Sequence, residues 1–155
     1  MSKVVLITGA SSGFGRSIAE KLSNHDFIVY GTSRNPKEIE GKYKLLKLDI
    51  TEYQDAERIT DYLISKHGKI DILINNAGIS ITGPVESSDM SDIKNLYETN
   101  FFGQINLMQK IIPHMRNNMS GLIINITSIA GYLGLPFQSI YCASKSSLNL
   151  LGESL

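Results

Sequence analysis

The sequence has a single cysteine, Cys142, among 155 residues. No disulfide can close within the chain, which fits a reducing, cytoplasmic setting. Neither sign of charge is in excess, because Lys+Arg and Asp+Glu both total 15. A chain without net charge gives no electrostatic reason to expect nucleic acid or an anionic membrane as partner. No segment approaches the roughly 18 apolar residues of a membrane helix. The apolar run in MSKVVLITGA is too short for a signal-peptide core and runs straight into a glycine turn. There is no internal repeat, low-complexity tract or linker. The histidines His25, His67 and His114 stand apart, with neither ligand spacing nor an acidic cluster, so no metal site is read. What is present is 42% hydrophobic and 19% charged, the composition of a soluble globular chain of one domain, residues 1–155.

The apolar residues come in two rhythms. Val4–Ile7, Phe27–Tyr30, Tyr43–Leu48, Ile70–Ile74 and Leu122–Ile126 are short runs that predict strands. Helical spacing is predicted over Arg16–Ser23, over Glu52–His67 with Thr51 as N-cap and Gly68 as C-cap, and over Ser91 to about Met115. A last helix starts near Ser139 and is expected still to run at Leu155. Met108, Met115 and Met119 are read as helix-packing residues, and Cys142 as a small apolar residue in a tight helix contact. Strands alternating with helices predict an α/β fold: a doubly wound, Rossmann-type parallel sheet in three layers.

Thr8-Gly9-Ala10-Ser11-Ser12-Gly13-Phe14-Gly15 joins the first strand to the first helix. Glycine permits the tight turn. The free N–H groups of the helix start, with the helix dipole, make an anion site, and glycine lets the backbone approach a pyrophosphate. The spacing TGxxxGxG is neither the usual GxGxxG nor a P-loop, and taken alone it is equally compatible with plain turn chemistry.

Near the end of the chain, YCASK places Tyr141 and Lys145 at i and i+4, on one face of a helix. An ammonium fixed near a phenol favours the phenolate. Such a tyrosine can give a proton to a carbonyl oxygen or take one from an alcohol. The pair alone is also what an ordinary amphipathic helix with a solvated lysine provides.

These motifs together resemble the short-chain dehydrogenase/reductase family, classical subgroup. TGASSGFG at 8–15, Asp49 after the third strand, NNAG at 75–78, Asn100 in the long helix, Ser128 after the fifth strand and YCASK at 141–145 stand in that family's order. The resemblance implies an oxidoreductase that moves hydride between a nicotinamide cofactor and a small-molecule carbonyl or secondary alcohol. It implies Tyr141 as general acid/base, Ser128 on the substrate oxygen, Lys145 on the nicotinamide ribose and Asn100 in a proton relay through Lys145. Cofactor contacts would come from Gly9, Ser11, Ser12, Gly13, Phe14, Gly15, Ser33, Arg34, Asp49, Ile50, Asn76, Ala77 and Gly78, together with Tyr141 and Lys145. NAD users of this fold carry an acid about 20 residues past the glycine motif. Here that region reads Tyr30-Gly31-Thr32-Ser33-Arg34-Asn35, with no acid before Glu38. Arg34 suits a 2′-phosphate, so NADP(H) is expected over NAD(H).

Members of that family continue for two further strands and a substrate-covering loop. Against that pattern the last strands of the fold are expected to be missing from this chain, leaving strand five a bare edge. Assembly in the family, as dimer or tetramer, uses the long helix and the YxxxK helix, so a homo-oligomer is expected of a full-length form. The alternative reading is a truncated, non-catalytic NADP(H)-binding module. Reduction of a carrier-bound 3-oxoacyl group is a further option. ETNFFG at 98–103 and GLPFQSIYCASK at 134–145 look more like the steroid- and retinol-type carbonyl reductases.

Overall fold

The computed structural model describes residues 2–37 and 43–155. Among the described residues five strands and five α-helices follow in the order β1 Lys3–Ile7, α1 Gly13–Ser23, β2 Phe27–Ser33, β3 Lys44–Lys47, α2 Tyr53–His67, β4 Ile72–Asn75, α3 Met90–Tyr97, α4 Gly103–Asn117, β5 Leu122–Asn125 and α5 Ser139–Glu153. All strands are parallel, in the order β3-β2-β1-β4-β5. The order reverses between β1 and β4, so the loops that leave these two neighbours part to opposite sides. That opens a crevice at their carboxyl ends. This is the Rossmann-type architecture that the alternating rhythm predicts.

The sheet buries both faces, which is why its central strands are continuous β-branched and leucine runs. Val5, Ile7, Val29 and Ile74 pack with Ala19 of α1 on one face. Leu6, Leu73 and Tyr30 pack on the other with Ile59 and Leu63 of α2 and with Leu107 and Ile111 of α4. Among the described residues β5 pairs only with β4, and it leaves Leu122 half exposed. The bare edge expected for strand five is present.

Four expectations are corrected. Glu52, not Thr51, occupies the cap position of α2, without a side-chain cap bond; Thr51 instead donates to Asp49, through its hydroxyl at 2.8 Å and its N–H at 3.1 Å. An aspartate two residues earlier competes successfully for the threonine's polar groups. The long helix is not uniformly α: Glu98–Phe102 between α3 and α4 is π-helical, the wider turn that tends to mark functional sites. α5 ends at Glu153, where the Ser154 N–H reaches the carbonyls of Leu150 and Leu151. Met119 is almost fully exposed with φ 48°, in the turn after α4, whereas Met108 and Met115 are core residues.

Gly103 begins α4 at its closest approach to the loop after β3. A Cβ there would fall on the Ile50 carbonyl oxygen and lie 2.9 Å from that of Glu98. Backbone atoms cannot swing away as side chains do. Gly103→Ala should therefore cost at least about 2 kcal/mol by overpacking. A urea titration would register this as a lower midpoint with unchanged slope, and an unmoved midpoint would mean that α4 is not held against that loop.

Candidate active site

The crevice is built by two loops that hold each other. The Thr8 hydroxyl, fully buried, accepts from the N–H groups of Asn76 and Ala77, both at 2.9 Å. The Asn76 amide donates back to the carbonyls of Thr8 (2.8 Å) and Gly9 (3.1 Å). Gly9 takes φ 66°, a conformation open to glycine at little cost. Gly15 lies behind the loop, where a Cβ would collide with the Asn76 amide and the Gly9 carbonyl. The two glycines thus let the loop fold flat against the turn after β4.

A cleft of about 450 Å³ opens over these loops. Ten of the expected cofactor residues line it: Gly9, Ser11, Ser12, Ser33, Arg34, Asp49, Ile50, Asn76, Ala77 and Gly78. Gly13, Phe14 and Gly15 do not. Gly13, at φ 54°, and the exposed Phe14 open α1 beside the cleft. Ser12, at the cap position of α1, makes no side-chain cap bond, and no acidic residue stands in the first turn. The first N–H groups of the helix therefore stay available to an anion. The side of the cleft at the end of β2 carries Thr32, Ser33, Arg34 and Asn35. Glu38 lies outside the described residues.

The expected catalytic residues lie beyond Gly78, outside the 450 Å³ cleft. Lys145 is only 5% exposed, and its Nζ donates to the Ile126 carbonyl at 3.0 Å. Among the described residues no carboxylate pairs with it. Burial alone pushes its pKa below the ordinary 10.5. The same Nζ stands 6.0 Å from the centre of the half-buried Tyr141 ring, so the two share a face as i and i+4 require. A Cβ on Gly78 would sit 3.4 Å from that Nζ and 3.2 Å from Asn100 Oδ1, so the glycine brings cleft and lysine together.

Asn100 is fully buried in the π-helical turn. Its Oδ1 accepts from the Ile79 N–H (2.8 Å), while its Nδ2 donates to the Ile79 carbonyl (2.9 Å) and to Ser144 Oγ (3.2 Å). Ser128 caps a one-turn segment over Ile129–Gly131, its hydroxyl accepting from the Ala130 N–H at 3.1 Å. Gly131 in that turn lies against the Lys145 backbone. The structure therefore gathers Asn100 and Lys145 at Gly78, with the Tyr141 ring beside Lys145, and seats the Ser128 turn on α5.

Sequence reasoning missed Thr8, Thr32, Gln104 and Ser144. Thr8 and Ser144 stand inside motifs already singled out, so their small polar side chains were a readable signal. Thr32 accepts from the Gly9 N–H at 3.4 Å, and the Gln104 amide donates to the Ala77 carbonyl at 2.8 Å. Nothing local marks either one, because each acts on a residue distant in sequence. Among the described residues no group of acidic, histidine or cysteine side chains could hold a metal, and no helix is long and apolar enough to cross a membrane.

A protein-family model described as short chain dehydrogenase matches residues 3–155. The 3-ketodihydrosphingosine reductase of Bacteroides thetaiotaomicron is 43% identical over 153 residues, 99% of this chain and 57% of that protein. A short-chain dehydrogenase from Streptomyces avermitilis superposes with a TM-score of 0.95 at 33% identity, over 99% of this chain and 59% of its own. ElxO, solved with NADP bound, gives 0.91 at 31% identity, over 97% and 65%. The chain spans 57% to 65% of the length of these proteins. Matched in sequence and in fold over nearly all its residues, the chain belongs to the short-chain dehydrogenase family of oxidoreductases.

Proposed function

We propose that this chain carries the nucleotide-binding and proton-transferring part of an NADP-dependent oxidoreductase acting on a carbonyl or secondary alcohol. The observation that carries the reading is Lys145. A buried ammonium without a carboxylate is costly, and a chain keeps one where its charge has work to do. The flat glycine loop and the 450 Å³ cleft fit a dinucleotide: Ser11 and Ser12 would hold its pyrophosphate at the start of α1, Asp49 and Ile50 its adenine end, and Asn76–Gly78 its second ribose. Ser33 and the exposed Arg34 would meet a 2′-phosphate without a carboxylate to repel it. When bound, that cofactor supplies the hydride.

The protein then handles the proton. Tyr141 gives its hydroxyl proton to the substrate oxygen, and the Lys145 ammonium on the same helix face favours the phenolate left behind. Ser128 supplies a second donor to that oxygen. Asn100, by fixing both polar groups of Ile79, holds the strand-end loop that Lys145 faces. A second reading is a cofactor-binding module without turnover, which the same cleft would also serve.

Three measurements test these roles. Tyr141→Phe should lower NADPH-dependent ketone reduction by roughly 10²–10⁴-fold with NADPH binding unchanged; a wild-type chain that binds NADPH and never turns over supports the module reading instead. Arg34→Asp should weaken NADP⁺ binding roughly 10- to 100-fold in calorimetry and leave NAD⁺ little affected, as loss of a charge-assisted phosphate contact requires. The third uses Lys145. With its folded pKa below 10.5, the folded chain releases this proton before the unfolded chain does, so stability rises with pH between the depressed value and 10.5. The stability of the wild type relative to Lys145→Met should therefore climb as pH goes from neutral toward 10.5; a difference that stays flat would mean the ammonium is not desolvated.

A further inference from the structure

Asn76 holds the glycine loop from the β4 side, through the carbonyls of Thr8 and Gly9. A second hold comes from the other side of β1 and centres on Ala10, which is fully buried. The Ala10 N–H donates to the Thr32 carbonyl at 2.8 Å, and its carbonyl accepts from the Tyr43 hydroxyl at 3.1 Å. Both backbone polar groups of this one loop residue are thus satisfied from the β2 and β3 side. The next two residues, Ser11 and Ser12, are exposed and line the cleft.

Tyr43 reaches Ala10 from a distance. It stands immediately before β3, with β2 between it and β1. Its ring is only 4% exposed and packs on the α1 face of the sheet with Ala10, Ala19 and Val29. The ring crosses β2 at Gly31, where a Cβ would lie 2.6 Å from the Ala10 Cβ and 3.2 Å from Tyr43 Cε2. The glycine therefore opens the passage between the two. Burial, with the Glu20 carboxylate adding to it against the smaller pull of Arg16, raises the Tyr43 pKa above the ordinary 10.0. At neutral pH the phenol keeps its proton and can donate. Packing needs only the ring, which a phenylalanine would supply; among the described residues the hydroxyl bonds to Ala10 alone.

We infer that Tyr43 is a positioning residue for the cofactor: by holding the Ala10 backbone, its hydroxyl presents Ser11, Ser12 and the first N–H groups of α1 to the pyrophosphate. This rests on the reading of the cleft as a dinucleotide site. Tyr43 itself does not line that cleft, so it acts only through the loop. Without its hydroxyl the buried Ala10 carbonyl loses its partner, and the loop spends part of its time in arrangements that hydrate it. A ligand that needs the held arrangement then binds more weakly, in proportion to the population lost. Contacts at Ser33, Arg34, Asp49 and Ile50 do not pass through this bond.

Tyr43→Phe keeps the ring over Gly31 and removes only the hydroxyl. In calorimetry on the 155-residue chain, it should weaken NADP⁺ binding roughly 3- to 10-fold, the worth of one neutral hydrogen bond. Adenosine 2′-monophosphate, which has no pyrophosphate, should bind with wild-type affinity. A purely structural role would separate the two ligands in neither direction. Hydrogen exchange on the ligand-free wild type adds a reading that needs no variant: the Ala10 amide should be protected as strongly as those of β2, because the loop is held before any cofactor arrives. Equal NADP⁺ affinity in wild type and variant, an equal loss for both ligands, or an Ala10 amide that exchanges as fast as those of Ser11 and Ser12 would overturn the inference. A wild type that takes up no NADP⁺ overturns the dinucleotide reading and the role of Tyr43 together, whereas the three preceding outcomes remove the role of Tyr43 alone.

Discussion

The hydroxyl of Thr8 is the point on which the site turns. It accepts from two successive N–H groups, those of Asn76 and Ala77, and so ties the end of β1 to the end of β4 across the place where the sheet reverses its strand order. The Asn76 amide closes the same junction from the other side through the carbonyls of Thr8 and Gly9. All these groups are withdrawn from water to some degree, where an unpaired one would cost roughly 1–3 kcal/mol. The network therefore fixes how far the two loops stand apart, and with it the width of the cleft. Gly9 and Gly15 matter because a side chain at either would press into this junction.

A second constraint acts between the helices. The π-helical turn at Glu98–Phe102 places Asn100 where its amide can satisfy both polar groups of Ile79 and still reach Ser144. The Ser144 hydroxyl in turn donates to the Tyr141 carbonyl at 2.8 Å. The loop after β4, the long helix and α5 are thereby joined through the fully buried side chains of Asn100 and Ser144. Lys145 comes to rest beside Gly78 as a result, its ammonium held by the Ile126 carbonyl at the end of β5. The candidate site is thus assembled at the ends of β1, β4 and β5, the carboxyl edge of the sheet.

Much of this was legible in the residues. The five strands and the helices fell where the apolar rhythm put them, because a parallel sheet covered on both faces leaves its strands no choice but continuous apolar runs. Ten of the residues expected to contact a cofactor line the cleft, because they stand at or just past the strand ends that open into it. The misreadings were of another kind. Thr51 looks like a cap until Asp49 is seen two residues before it, and Met119 looks like core until the turn after α4 lifts it into solvent. The π turn gave no local signal, and the Asn100 it carries finds its partner in the Ile79 backbone, some twenty residues away in sequence.

The sequence by itself determined the alternating α/β order, the glycine turn and the i, i+4 spacing of Tyr141 and Lys145, because each depends on neighbours within a few residues. Only the tertiary structure decided that Lys145 is buried without a carboxylate among the described residues, that Asn100 links the loop after β4 to α5 and that Phe137 is held exposed at a strained φ. Those outcomes depend on which distant backbone groups must be satisfied once water is excluded, and no local pattern records that.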